Sequence, residues 1–511
     1  MKYILTKYVC KAFIALIIAA ILPIPSLVAA KTLRFAVTQR VTGLGNPYGS
    51  LIVGGVSPIS LLFEPLTDLA IGGGVNPRLA ESWEATSPST WVFHLRTGVI
   101  FSNGEPFDAD AAVAVINYLK SPEAQGLFIG SEMRWVESAR VIDEFTLEIT
   151  TVRPDAILPK RLSKVMMVPP NAWAEMGPDE FALNPSGTGP FIVSDWGTGS
   201  SVYVFARNPT TWRPQSPLDE IEFHVAPEPI GRAQALISGQ VDLIYRLDLE
   251  IIRKLEAEGF VSVVRETFSV GGIALPNNRL DSPLADVRVR RALNYAIDRD
   301  SIARTILNGV TSSNGQGAIE GVFGFNPEIK AYPYDPERAR ALLAGAGYAN
   351  GFRLKATVRS DPPVPEVILI EQVVAQYLAK VGVRLDLFPA PGAEWLRMYF
   401  SGEWGESDVL SFSMNSSAYA DAIRAIETLS CSKPGAFFCV PEMSPLIEAS
   451  NLDFEPVSRR RKLQDLMGQL HDLAPAIYLF PYLDTFAHTK EVSNLTFGAQ
   501  ILNIEDIIIA D

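Results

Sequence analysis

Residues 77–119, PRLAESWEATSPSTWVFHLRTGVIFSNGEPFDADAAVAVINYL, constrain the fold more than any other stretch, because they carry an ordered series of local structural signals. Trp91, Phe93 and Leu95 alternate with Val92, His94 and Arg96, the period-two pattern of a half-buried strand that ends at Gly98. Ser102, Asn103 and Gly104 tolerate positive φ and predict a hairpin-like return. Asp108 then stands where a helix cap belongs, ahead of Ala112, Val115, Ile116 and Leu119 on one helical face. The predicted order is strand, turn, strand, turn, helix.

This stretch resembles the signature of the family 5 extracellular solute-binding proteins, the peptide/nickel-type receptors of ABC importers. Two further segments carry the same resemblance: NPSGTGPFIVSDWGTGSSVYVFARNPTTW at 184–212, similar to the family's P-x-GTGPY stretch, and DVRVRRALNYAIDRDSIARTILNG at 286–309, similar to its D-x-RVR…AID-R stretch. One departure is visible: Asp108-Ala109-Asp110-Ala111 stands where the family usually has Thr-Ala-Glu-Asp. The resemblance implies an α/β chain with the type II periplasmic-binding-protein fold, two lobes joined by a hinge, the first lobe carrying an inserted extra subdomain. On that reading lobe I comprises residues 31–67, 187–268 and 480–511, the inserted subdomain 68–186, and lobe II 269–479. The lobes are then connected by two chain crossings, near 267–272 and 479–482.

The first 30 residues read as an export signal. Lys2, Lys7 and Lys11 precede an apolar run that Pro23, Pro25 and Ser26 interrupt before it reaches ~20 residues, the usual spanning length. Small residues follow at Val28, Ala29 and Ala30, and cleavage after Ala30 is expected. Cys10 precedes the apolar run, whereas a lipoprotein cysteine follows it, so a soluble periplasmic protein is predicted. The net charge of −13 becomes −16 once the three lysines are removed, which speaks against a nucleic-acid partner. Of the three cysteines, Cys431 and Cys439 then remain. An oxidising compartment favours a disulfide between them, with two buried thiols as the alternative.

Elsewhere the sequence predicts a strand over 141–151 and an apolar run at 165–168 that Pro169 and Pro170 terminate. Asp286, Asp298 and Asp335 are expected to cap helices. A strand at 352–358, a helix at 366–380 and a strand at 383–387 form a β-α-β unit, from which a mainly parallel sheet is expected. Arg288, Arg290 and Arg291 read as a solvated ion-pair face.

No Gly-x-Ser-x-Gly, His-Glu-x-x-His, Cys-x-x-Cys or Gly-x-x-x-x-Gly-Lys pattern occurs, and the four histidines make no metal-ligand spacing with the cysteines. No enzyme activity, cofactor or metal is predicted. The resemblance implies capture of a small solute, with oligopeptides or peptide-like molecules first and metal chelates, opines, glutathione or oligosaccharides open. Delivery follows to permease subunits of an ABC transporter in the inner membrane; a periplasmic sensor coupled to a receptor is the alternative. A monomer is expected. The loop carrying Asn46 and Tyr48 is placed at the cleft, as are Met414, Asn415, Tyr419 and Asp421. Met414 or Asn415 stands where the family often has tryptophan, and Asp421-Ala422 where it has Asp-Pro. Two roles are open for Asp421: pairing with a ligand amine, or capping a helix.

Overall fold

The computed structural model describes residues 30–510 except 42, 50–55, 125, 126, 128, 131, 132, 361–363, 434 and 500; the expected export signal, bar Ala30, lies outside them. The strands are β1 Thr32–Val37, β2 Thr67–Leu69, β3 Val75–Pro77, β4 Ala80–Ser87, β5 Thr90–Leu95, β6 Val136–Asp143, β7 Thr146–Thr151, β8 Phe191–Asp195, β9 Val202–Arg207, β10 Glu220–Val225, β11 Leu243–Tyr245, β12 Val261–Ala274, β13 Phe352–Arg359, β14 Val383–Ala390, β15 Val409–Asn415 and β16 Ala476–His488. Ten of them form one sheet in the order β14-β13-β15-β12-β16-β11-β1-β10-β9-β8, and a separate sheet runs β4-β5-β7-β6.

The four-stranded antiparallel sheet and its covering helix follow from the 77–119 pattern. Phe93 is fully buried and sits opposite Leu147 of β7, while His94 on the alternate face is exposed. The helix Ala109–Lys120 starts on Asp108, whose carboxylate accepts from Ala111 N at 2.9 Å, and buries Ala112, Val115, Ile116 and Leu119. The expected return strand after Gly98 is reduced to one isolated bridge, Ile100 to Pro106. The single strand expected over 141–151 is a hairpin, β6 and β7, turned at Asp143, whose carboxylate accepts from Phe145 N. The apolar run at 165–168 is buried coil with one bridge, Met166 to Pro65.

The ten-stranded sheet is mixed, which corrects the mainly parallel expectation. Parallel pairing joins β1 to β10 and β11, and β13 to β14 and β15. The pairs β8–β9, β9–β10, β11–β16, β12–β15 and β12–β16 are antiparallel. Crossover helices such as Val367–Ala379 enforce parallel pairing locally. At the centre the chain passes once in each direction, so β12 and β16 oppose one another.

These two strands have 14 and 13 residues, against a usual strand of about 5–6. The Val261–Glu266 half of β12 pairs with His488–Leu483 beside β11; its Val270–Ala274 half pairs with β15 on one side and with the start of β16 on the other. Between the halves the register shifts twice, and Pro481, which has no ladder donor, falls at the shift.

One apolar core joins Leu33, Phe35 and Phe223 of the large sheet to Phe93, Leu147 and Ile116 of the small one. A second surrounds β13 and β14, and a third packs β15 against helices Ile423–Thr428 and Pro456–Leu473. Leu69 and Ile157 join this third core from the 68–186 segment.

The signature segments have local physical jobs. A Cβ on Gly187 would lie 1.9 Å from Leu62 O, so the GTGP turn needs glycine for backbone to pass backbone. Arg290 corrects the solvated-face expectation: it is 3% exposed and donates to Leu473 O, Leu284 O and Ala285 O, satisfying the end of a helix 183 residues away. Arg299 likewise donates to Tyr478 O and Asn294 O. Burial pulls both guanidinium groups down to about 10. Arg288 does form the expected ion pair, with Asp286 at 2.6 Å.

Candidate functional site

The junction between the 68–186 segment and the half of the molecule built on β13–β15 is held by charges in apolar surroundings. Asp421 is fully buried, and both its oxygens are occupied. Lys160 Nζ donates to Oδ2 at 2.6 Å and Arg459 Nη1 to Oδ2 at 2.7 Å; Arg459 Nη2 and Ile423 N each donate to Oδ1 at 3.1 Å. Burial alone would raise the Asp421 carboxyl, but Arg459 and Lys160 outweigh it and hold it far below the usual range. The Lys160 ammonium is lowered by burial, which Asp421 only partly offsets.

Neighbouring contacts cross the same junction. A Cβ on Gly73, which has φ +78°, would lie 2.5 Å from Ala420 O and 2.6 Å from Phe323 Cβ, so only glycine permits this approach. Ala156 N donates to Asn451 O at 3.0 Å. Arg161 donates to Asp155 at 2.8 Å, lies 3.7 Å from Glu427, and sits over the Tyr419 ring at 5.2 Å.

The residues picked from sequence separate into two groups. Tyr419 and Asp421 lie at this junction, both buried, and Asp421 meets Lys160 and Arg459 there while also accepting the Ile423 N–H at the start of its helix. Met414 is 1% exposed and packs in the core with Phe412 and Ala425, whereas Asn415 is exposed and accepts from Ser269 Oγ at 3.4 Å. Asn46 Oδ1 accepts from Tyr48 N and Gly49 N. Tyr48 is 2% exposed, donates its hydroxyl to Met166 O, and packs edge-on against Trp173. Lys160, Arg161 and Arg459 were not selected from sequence. The basic pair entering the apolar stretch LPKRLSKVMMVPP was the available signal.

Glu371, on the helix Val367–Ala379, is a second buried charge-bearing group. It lines a slot with Gly271, Ile370, Leu479 and Tyr482 beside the β12–β16 crossing. Ser411 Oγ donates to its Oε1, and Oε2 is buried without a partner. Burial pushes this carboxyl up to about 7. The Tyr482 hydroxyl is raised by burial first and then by Glu371.

Cys431 and Cys439 are joined by a disulfide. Replacing both by serine is expected to lower stability by about 2.5 kcal/mol, the loop-closure value for this spacing. Denaturant titration with and without reductant checks it: the native protein should fall to the variant's midpoint on reduction, and an unchanged midpoint would remove the bridge's contribution.

A profile of the bacterial extracellular solute-binding proteins, family 5, matches residues 74–435, which span this junction. The chain belongs to family 5. Heme-binding protein A of Haemophilus influenzae is 29% identical over 357 residues, 64% of each chain, so the match spans just under two thirds of that relative's length. The dipeptide-binding protein of Escherichia coli is 24% identical over 82% of this chain and 83% of its own. Among solved structures, NikA from Brucella suis with Fe(III)-EDTA superposes with TM-score 0.80 at 24% identity, covering 94% of this chain and 99% of that one. DppA from Helicobacter pylori with the peptide STSA gives 0.76 at 21%, covering 94% and 98%. The fold is therefore that of the type II periplasmic binding proteins. Family 5 members are transport binding proteins, periplasmic or extracellular. Among the described residues no helix is long and apolar enough to cross a membrane.

Proposed function

We propose that this family 5 protein captures a small solute, peptide or peptide-like in the first instance, by closing its two halves, and hands it to the permease of an ABC importer. The observation that supports this most is the pair β12 and β16, the two long strands that join the halves of the large sheet through shifted register. Two crossings permit a hinge rotation while limiting other relative motion. Lobe I is read as residues 31–67, 187–268 and 480–511, with 68–186 inserted and 269–479 as lobe II. Ligand contacts made from both sides stabilise the closed form differentially, and moving a 1:99 population to 99:1 takes about 5.5 kcal/mol. The named relatives bind heme and dipeptide, so the chemistry of the solute is open at this level.

The test is small-angle scattering of the mature protein before and after removal of any solute carried through purification, with mass spectrometry of that solute. Compaction on re-addition and recovery of the solute unchanged are expected; a rigid envelope or a converted solute overturns the reading. Lys160→Met gives a second expected result. Asp421 keeps Arg459, so stability should fall by less than the ~3–5 kcal/mol of a fully broken buried pair. Scattering of the unliganded variant should shift toward the open form, and an unchanged profile would deny Lys160 a part in closure.

A further inference from the structure

The slot beside the β12–β16 crossing carries charge of one sign only. Its cavity of about 30 Å³ has apolar walls that include Leu307, Ile370 and Leu479, and its polar side chains are Glu366, Glu371 and Tyr482. No described residue lining it is a lysine, arginine or histidine. Glu371 is 2% exposed; Ser411 Oγ donates to its Oε1, while its Oε2 has no partner. Glu366 is half-buried, and its Oε1 accepts from Leu249 N at 3.2 Å. Burial raises both carboxyls, Glu371 to about 7, and the Asp248 charge adds to the rise at Glu366. On the facing strands, Tyr482 of β16 is raised by burial and then by Glu371, and Arg359 of β13, which stands over the Trp395 ring at 5.5 Å, opposes that rise.

A buried carboxyl oxygen without a donor is costly, and Glu371 Oε2 is such an atom. Water would supply a hydrogen bond but no charge. An ammonium supplies three donors together with the positive charge that the lining lacks, and apolar walls strengthen a charge-assisted bond made against them. Size narrows the choice further. A volume of about 30 Å³ holds about two water-sized groups, which is the room taken by an ammonium and the methylene that bears it; a guanidinium or a quaternary ammonium is wider. Gly271 and Gly272 of β12 and Leu479 and Tyr482 of β16 all line the slot, so an occupant touches both strands that join the halves of the large sheet.

We infer that this slot is the subsite for one end of the solute, a primary ammonium on an unbranched alkyl chain, with Glu371 as its counter-ion. This rests on the closing-receptor reading and narrows it. The experiment is calorimetry and scattering on the solute-stripped mature protein at fixed ionic strength. The ammonium probes are the tripeptide Ala-Lys-Ala and 1,5-diaminopentane; their uncharged counterparts are the norleucine tripeptide and 1,5-pentanediol, and Ala-Arg-Ala offers the wider cation. At pH 8 at least one ammonium probe is expected to bind about tenfold more tightly than its counterpart, with Ala-Arg-Ala weaker than Ala-Lys-Ala. The bound cation holds Glu371 ionised, so a proton leaves on binding and affinity should fall about tenfold from pH 8 to pH 6. Binding enthalpies in buffers of different ionisation enthalpy should report release of about half a proton at pH 7. Glu371→Gln should erase both the preference and the pH dependence. Silence of both ammonium probes overturns the inference whatever else binds, as does binding of each no tighter than its counterpart, or a preference that Glu371→Gln leaves untouched. Wild-type binding without proton release overturns it too, and that readout stands even where the variant fails to fold. The receptor reading fails separately, when no probe and no carried-through solute compacts the protein.

Discussion

Asp421→Ala is expected to lower unfolding free energy by about 3–5 kcal/mol, because it strands the buried charges of Lys160 and Arg459 without a counter-ion. The two cations reach Asp421 from different regions, one from the helix Leu158–Leu162 and one from the helix Pro456–Leu473, so both sides of the junction feel the loss. The same carboxylate makes the protein acid-sensitive. Its folded-state proton affinity lies below the unfolded one, so its contribution is complete above about pH 4 and drains as pH falls further. Denaturant titrations at pH 7 and at pH 3 should show the wild type approaching the alanine variant at the lower pH. Curves that stay equally far apart would mean that Asp421 is not the group being protonated. Because all its strong acceptor positions are filled from within the protein, the change should appear in stability before it appears in affinity.

The second large effect has the opposite sign. Glu371 binds its proton more tightly folded than unfolded, about 7 against the ordinary 4.5. Its neutral form therefore suits the fold: stability is greatest below about 4.5 and declines as pH rises toward 7, by about 3 kcal/mol if nothing else relaxes. Glu371→Gln keeps the shape and removes the titration. Relative to wild type the variant should gain about 3 kcal/mol between pH 5 and pH 8, whatever its offset at pH 5 from the buried amide it introduces. Parallel pH profiles for the two proteins would show that Glu371 does not titrate in this interval.

Local signals were legible where a residue's partner is close in sequence. Asp108, Asp286, Asp298 and Asp335 each accept from a backbone N–H two or three residues on, as their positions before apolar helical faces predict. Strand direction in the large sheet was not legible, since β12 meets β16 across some two hundred residues and nothing in either strand encodes the direction of the other. The same holds for charge. Lys160 and Asp421 are 261 positions apart, and Arg290 finds Leu473 O only after two helices have packed. Tyr48 illustrates the converse: its loop carries the glycines and asparagine of an exposed turn, yet its ring enters an aromatic cluster that its neighbours in sequence do not announce.

The double register shift in β12 has a mechanical consequence. On the β16 side the register is irregular between Glu266 and Gly272 while Ser269–Gly272 keep in-register rungs to β15, so bending imposed by either end concentrates at Thr267 and Phe268, which the rungs to both neighbours skip. Deuterium should enter the Thr267 and Phe268 amides ahead of the flanking rungs at Val261–Val264 and Ile273–Ala274, which places the softest point of the longest strand between its two pairing partners.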